Sequence, residues 1–175
     1  MVNTLVRAVV GIALTALMGG TARAQTDTCQ PVNDAISKLN AANQFQQKGI
    51  ITYIDTGKSY SSDYLVSGDK EYSRKDSGSW KVGVRQDIPL IVDGKPAVYE
   101  CSRVGTEWLG DVSTVVYTYK RLTPDHGARD VRVWVDESTG KPLRTDMSFE
   151  TASDRRARFT FGYNPQAALP MVDGQ

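Results

Sequence analysis

The sequence predicts an α+β, mostly β protein, in which one N-terminal helix lies across the inner face of a large, strongly curved or nearly closed antiparallel sheet. Three observations predict it. Residues 129–161 hold three consecutive segments of period-two alternation: Val131, Val133 and Val135; then Leu143, Met147 and Phe149; then Ala157, Phe159 and Phe161, each interleaved with polar or charged residues. Turn signals recur roughly every ten residues along the rest of the chain. Only one stretch, Pro31–Asn43, has helical periodicity, and no β-helix-β spacing occurs, which excludes a parallel α/β sheet.

The first 24 residues read as an export signal. Arg7 gives a positive start, Ala8 to Leu17 is apolar and too short to span a bilayer, and Ala22-Arg23-Ala24 is a small-x-small cleavage site. Cleavage near Ala24 leaves 25–175 as a single domain, periplasmic or secreted, with no stable membrane span. Cys29 lies beyond a polar Gln-Thr-Asp-Thr stretch, so no lipid-attachment cysteine follows the apolar run. Removing Arg7 and Arg23 leaves 19 basic residues against 20 acidic, and no dense basic patch appears, which argues against nucleic acid as a partner. The two cysteines, Cys29 and Cys101, are most simply a disulfide in an oxidising compartment. Two free redox thiols are the alternative, but there is no C-x-x-C.

In the helix, Val32, Ala35, Ile36, Leu39 and Ala42 form one apolar stripe, and Pro31 suits the first turn. A bridge from Cys29 would pin this helix to the sheet. Lys48–Asp55 is the first expected strand. Tyr60, Ser62, Tyr64 and Val66 share one face of the second, Glu71–Lys75 is the third, and Trp80, Val82 and Val84 mark the fourth. The segment 87–96 carries two prolines and an Asp93-Gly94 turn signal. It reads either as a loop tucked against the core or as a flexible flap over a hydrophobic groove. Val98–Arg103 and Thr106–Leu109 are two short strands around Gly105. After a tight turn at Leu109-Gly110-Asp111, Ser113–Arg121 presents Val115, Tyr117 and Tyr119 on one face and Val116 on the other. The alternating meander follows, and the tail after Tyr163 loses periodicity.

No catalytic machinery is visible. His126 is the only histidine and sits in an Asp125-His126-Gly127 turn, with no nucleophile or orienting acid assigned to it. Both S-x-x-K matches, at Ser67 and Ser138, fall in hairpin turns rather than at helix starts. One histidine and two bridged cysteines do not make a metal site. The chain is therefore not expected to be an enzyme, and no cofactor is expected.

The run Val133-Trp-Val-Asp-Glu-Ser-Thr-Gly-Lys-Pro-Leu-Arg144 resembles the strand-turn-strand of LolA-like periplasmic lipoprotein-carrier domains, a superfamily that includes LolA, LolB and mycobacterial lipid-binding lipoproteins. The order of elements, from the helix through the Tyr-rich strands to Tyr163-Asn164-Pro165, is similar over most of the mature chain. The resemblance implies a curved antiparallel half-barrel sheet with the helix on its concave face. It also implies binding, without chemistry, of a hydrophobic or lipid ligand or a lipoprotein acyl chain. On that reading the ligand-binding apolar face comprises Ile36, Leu39, Tyr64, Trp80, Ile91, Tyr117, Val133, Met147, Phe149 and Phe159, and the protein acts as a monomer. One departure stands out: Arg85–Ala97 is Pro-rich and non-helical where family carriers insert further helices, so the lid is reduced. The alternative is a protein-interaction or envelope-sensing module without a ligand cavity.

Overall fold

The computed structural model describes residues 28–124, 127–149, 155–164 and 168–172. The expected signal segment, His126 and Pro165 lie outside the described residues. The first element is α1 (Gln30–Asn40), followed by β1 (Gln44–Tyr53), β2 (Ser59–Ser67), β3 (Lys70–Lys75) and β4 (Lys81–Val84). A two-strand hairpin of β5 (Ile91–Val92) and β6 (Lys95–Pro96) precedes β7 (Val98–Leu109), β8 (Val112–Thr123), β9 (Gly127–Asp136), β10 (Pro142–Phe149) and β11 (Arg155–Gly162). Nine strands form one curved, unclosed antiparallel sheet in the order β4-β3-β2-β1-β11-β10-β9-β8-β7. It is two hairpin meanders joined where β1 pairs with β11, from Gln46 opposite Gly162 to Tyr53 opposite Arg155. That seam joins the first and last strands among the described residues, so its loop-closure cost must be met before the sheet is whole.

The alternation sorts the two faces as expected. Val131, Val133 and Val135 of β9, with Tyr119 of β8 and Val98 of β7, bury Val32, Ala35 and Ile36 of the helix. Leu39 at the helix end packs instead with Phe45 and Val66, so one apolar stripe spans both meanders. Pro31 sits in the first helical turn, and the Cys29 carbonyl accepts from Val32 and Asn33 at 3.0 Å. The Cys29 side chain cannot cap because its sulfur is bonded to Cys101.

A β-bulge makes that bond feasible. The β7–β8 register slips between Tyr99 and Ser102, and Glu100 takes a left-handed φ of 53°. The extra residue reverses the side-chain alternation, so Cys101 points to the helix although Val98 does too. The Cys29 and Cys101 Cα atoms lie 5.0 Å apart.

Several local expectations are corrected. The helix ends at Asn40 rather than Asn43, because Arg85 Nη1 donates to the Ala42 carbonyl at 2.9 Å and Arg85 Nη2 donates to that of Asn40, drawing the chain out of helical geometry. The first strand begins at Gln44, with Phe45 buried, rather than at Lys48. The two short strands around Gly105 are one strand, β7, with register slips at two places. Leu143 was expected to face inward, but a bulge between Pro142 and Arg144 makes Pro142 the buried residue. The segment 87–96 is a loop tucked against the core. Ile88 and Leu90 pack on it, Val92 is buried, and Asp93-Gly94 form the turn with φ values of 51° and 72°.

Candidate functional site

The inner face, where an apolar ligand was expected, is largely occupied by the protein itself. Beneath the helix a void of about 50 Å³ remains, among Ile36, Leu39, Val133 and Met147. The helix end is clasped to the 85–92 segment: Asn40 Nδ2 donates to the Ile88 carbonyl at 2.9 Å, and Ile88 N–H donates back to Asn40 Oδ1 at 3.0 Å. With Arg85 capping the last carbonyls, the helix C-terminus is satisfied by a cation, as its dipole favours. At the other side, Lys38 Nζ donates to the Thr139 carbonyl at 2.8 Å, tying the last turn to the β9–β10 hairpin. Beside the clasp is an opening of about 240 Å³ lined by Leu39, Phe45, Tyr64, Met147 and Phe159, with Arg121 and Arg129 at its rim.

Two tyrosines facing this interior, Tyr119 and Tyr64, are held neutral. Burial raises the Tyr119 phenol to about 12. Burial first, and then its hydrogen bond to Glu71, raises Tyr64 well above the usual phenol range.

The outer face is a ladder of charges. Asp146 on β10 accepts from Arg144 at 3.0 and 2.5 Å and from Arg158 on β11 at 3.0 Å to each oxygen. Lys120 pairs with Asp130 at 3.6 Å. Burial alone would raise the Asp146 carboxyl, but the hydrogen bonds and charges of the two guanidiniums outweigh it and hold the group below the usual carboxylate range. Trp134 is only 4% exposed on this polar side. Arg144 and Arg132 lie over its ring at 4.2 and 4.9 Å, its Nε1 donates to Glu107 at 2.7 Å, and Arg132 Nη2 donates to the other Glu107 oxygen. Val116, which pairs with Trp134, is fully buried below it. Alongside runs an open groove of about 880 Å³ whose walls include Ile50, Lys120, Asp130, Arg132, Asp146 and Arg158.

Eight of the ten residues expected on the apolar face do face inward. Ile36, Tyr117, Val133 and Met147 are in or against the main core, and Leu39, Tyr64 and Phe159 surround the smaller opening. Phe149 lies on the same face, under the Arg129 guanidinium at 4.5 Å. Trp80 and Ile91 are not with them. Trp80 stacks on Arg74 at 4.7 Å, and Arg74 pairs with the outward Asp63, so the indole is on the outer face. Ile91 is exposed because its neighbour Val92 is the residue of β5 that turns inward. Sequence reasoning passed over Arg121 and Arg129. They lie two residues outside the paired Thr123 and Gly127, symmetric in sequence, which is the signal that pairs them. Among the described residues no group of His, Cys, Asp or Glu is placed to hold a metal ion, and no helix is long and apolar enough to cross a membrane.

No protein-family model matches the chain, and no curated protein matches it in sequence. Solved structures do match in shape. The lipoprotein LppX of Mycobacterium tuberculosis aligns with a TM-score of 0.52 at 14% identity, over 83% of this chain and 98% of LppX. MucB, in the Pseudomonas aeruginosa MucA/MucB complex, aligns with a TM-score of 0.46 at 18% identity, over 84% of this chain but 59% of that one. A LolA superfamily protein from Nitrosomonas europaea aligns at 0.35 and 12% identity, over 82% of this chain and 95% of that one. The chain therefore has the fold of LppX, and its unclosed curved sheet with one helix inside is the architecture that the LolA-like resemblance implies.

Proposed function

We propose that this chain is an exported, periplasmic, non-catalytic binding module that recognises a protein partner across the outer face of its sheet. The observation that carries the reading is the contrast between the two faces. The space under the helix is about 50 Å³, room for one or two waters at about 30 Å³ each, whereas small-molecule pockets span roughly 300–1,000 Å³. A long acyl chain enters beneath the helix only if the helix and the 85–92 segment leave, and the neighbouring opening of about 240 Å³ has room for a short substituent alone. The outer groove is large, and its walls mix both signs of charge around Asp146 with one exposed apolar side chain, Ile50. A polar rim with an apolar contact suits a protein surface better than a hydrocarbon chain.

The test pairs lipid detection with mapped crosslinking. Native mass spectrometry of the purified full chain is expected to show no stoichiometric lipid. A photo-crosslinker at Ile50 is expected to capture one defined envelope protein, a crosslinker at Ile91 is not, and Arg158→Glu is expected to abolish the capture. A bound acyl lipid at equal stoichiometry, or capture at Ile50 that ignores Arg158→Glu, overturns the reading.

A further inference from the structure

Arg121 of β8 and Arg129 of β9 stand directly opposite each other, and both side chains face the inside of the sheet. Facing like charges weaken a sheet, so such a pair needs a compensating group. None is present among the described residues: neither guanidinium has an ion pair, and the Nε of each is buried without a hydrogen-bond partner. The carboxylates nearest the opening are already engaged. Glu71 accepts from the Tyr64 hydroxyl and from the Gln86 N–H, and Asp87 pairs with Arg85 at 3.1 Å. Asp130, the residue after Arg129, faces outward to Lys120.

We propose that Arg121 and Arg129 form an oxyanion site at the rim of the inner opening, for a phosphate or carboxylate group that carries a short apolar substituent. Guanidiniums present N–H donors in a planar fork that matches these oxyanions. The Arg129 guanidinium carbon lies over the Phe149 ring at 4.5 Å, a contact that holds the side chain at the opening. The site opens onto about 240 Å³ walled by Leu39, Phe45, Met147 and Phe159, so the apolar part of the ligand has a place beside its charge. Burial, and then the charges of Arg121 and Arg155, lower the Arg129 pKa, the repulsion that a bound anion relieves. This site is on the opposite face from the protein-binding groove and is independent of that reading.

Calorimetric titration of the full chain with inorganic phosphate, hexyl phosphate, hexanoate and neutral hexanol tests it, at fixed ionic strength. The anions are expected to bind and hexanol is not, and hexyl phosphate is expected to bind more tightly than inorganic phosphate. Removing one charge-assisted donor in Arg129→Gln or Arg121→Gln is expected to weaken hexyl phosphate about ten-fold or more, while Arg156→Gln on the outer face leaves it unchanged. Far-UV circular dichroism checks the fold, and either inner variant suffices if the other unfolds. Vesicles containing phosphatidylglycerol separate a lipid headgroup from a free anion: vesicle binding that Arg129→Gln weakens supports the site. Anion binding equal in wild type and both inner variants overturns it, as does vesicle binding insensitive to Arg129→Gln or the absence of heat with every anion.

Discussion

Trp134 on β9 donates its indole N–H to Glu107 on β7 at 2.7 Å, across the intervening strand β8. Glu107 also accepts from Arg132, so one carboxylate satisfies a ring that would otherwise be buried with an unpaired donor. Glu107→Ala is expected to cost about 1–3 kcal/mol, the range for leaving a buried donor unsatisfied, and to fall toward its lower end because Glu107 is partly exposed. Trp134→Phe keeps the stacking surface for Arg144 and is expected to cost less than Trp134→Ala. Urea unfolding followed by circular dichroism measures all three.

Gly49 is the position where Phe159 crosses the β1–β11 seam. A Cβ on Gly49 would lie 2.2 Å from Phe159 Cδ1, and that ring is packed into the inner face. Gly49→Ala is therefore expected to destabilise by about 1–3 kcal/mol through overpacking. The double variant Gly49→Ala/Phe159→Leu is expected to be more stable than the sum of the two single changes predicts. A double-mutant cycle on urea midpoints reads that coupling.

The Cys29–Cys101 bond closes a sequence separation of 72 residues. On the chain-entropy account its loss costs about 4 kcal/mol. Cys29→Ser/Cys101→Ser is expected to unfold at lower urea than wild type, and dithiothreitol is expected to lower the midpoint of wild type but not that of the double variant.

Asp146 sets an acid-sensitive part of the stability. Its carboxyl is held below its ordinary value in the folded chain by Arg144 and Arg158 against the opposing effect of burial. The stabilisation is thus fully present above the unfolded pKa of about 3.9 and is lost as pH falls through the lower folded value. Asp146→Asn is expected to be less stable than wild type at neutral pH and to lose less stability below about pH 4. Thermal melts from acid to neutral pH report the difference in slope.

Much of the fold was legible because its pattern is local. The inner face of β9 to β11 follows from Val131, Val133, Val135, Phe159 and Phe161 alone, since alternation has a fixed period. The disulfide followed from the cysteine count and the expectation of an oxidising compartment. Features that depend on a local irregularity or on distant packing were not legible. The bulge at Glu100 that turns Cys101 inward, and the one that puts Pro142 rather than Leu143 in the core, break the period without a distinctive residue. The filled interior was hidden for a similar reason, because Ile88 and Leu90 lie among turn-formers yet pack against the helix. Of the aromatic residues expected on the apolar face, Tyr64, Tyr117, Phe149 and Phe159 follow the alternation to the inner face, whereas Trp80 lies over the outward Arg74. Arg121 and Arg129 were overlooked because only the hairpin register brings them opposite each other.

The two ends of the helix are held by different kinds of bond. Cys29 is joined covalently to edge strand β7, whereas Asn40 is held by hydrogen bonds to Ile88 and Arg85. The sulfur bridge is the one cross-link that fixes the Cys29 end to the sheet, whereas the Asn40 end can slacken by breaking hydrogen bonds alone, within the reach of the three residues that join it to β1. Tension applied to the chain ahead of Cys29 therefore has a covalent route into the sheet margin that bypasses the helix.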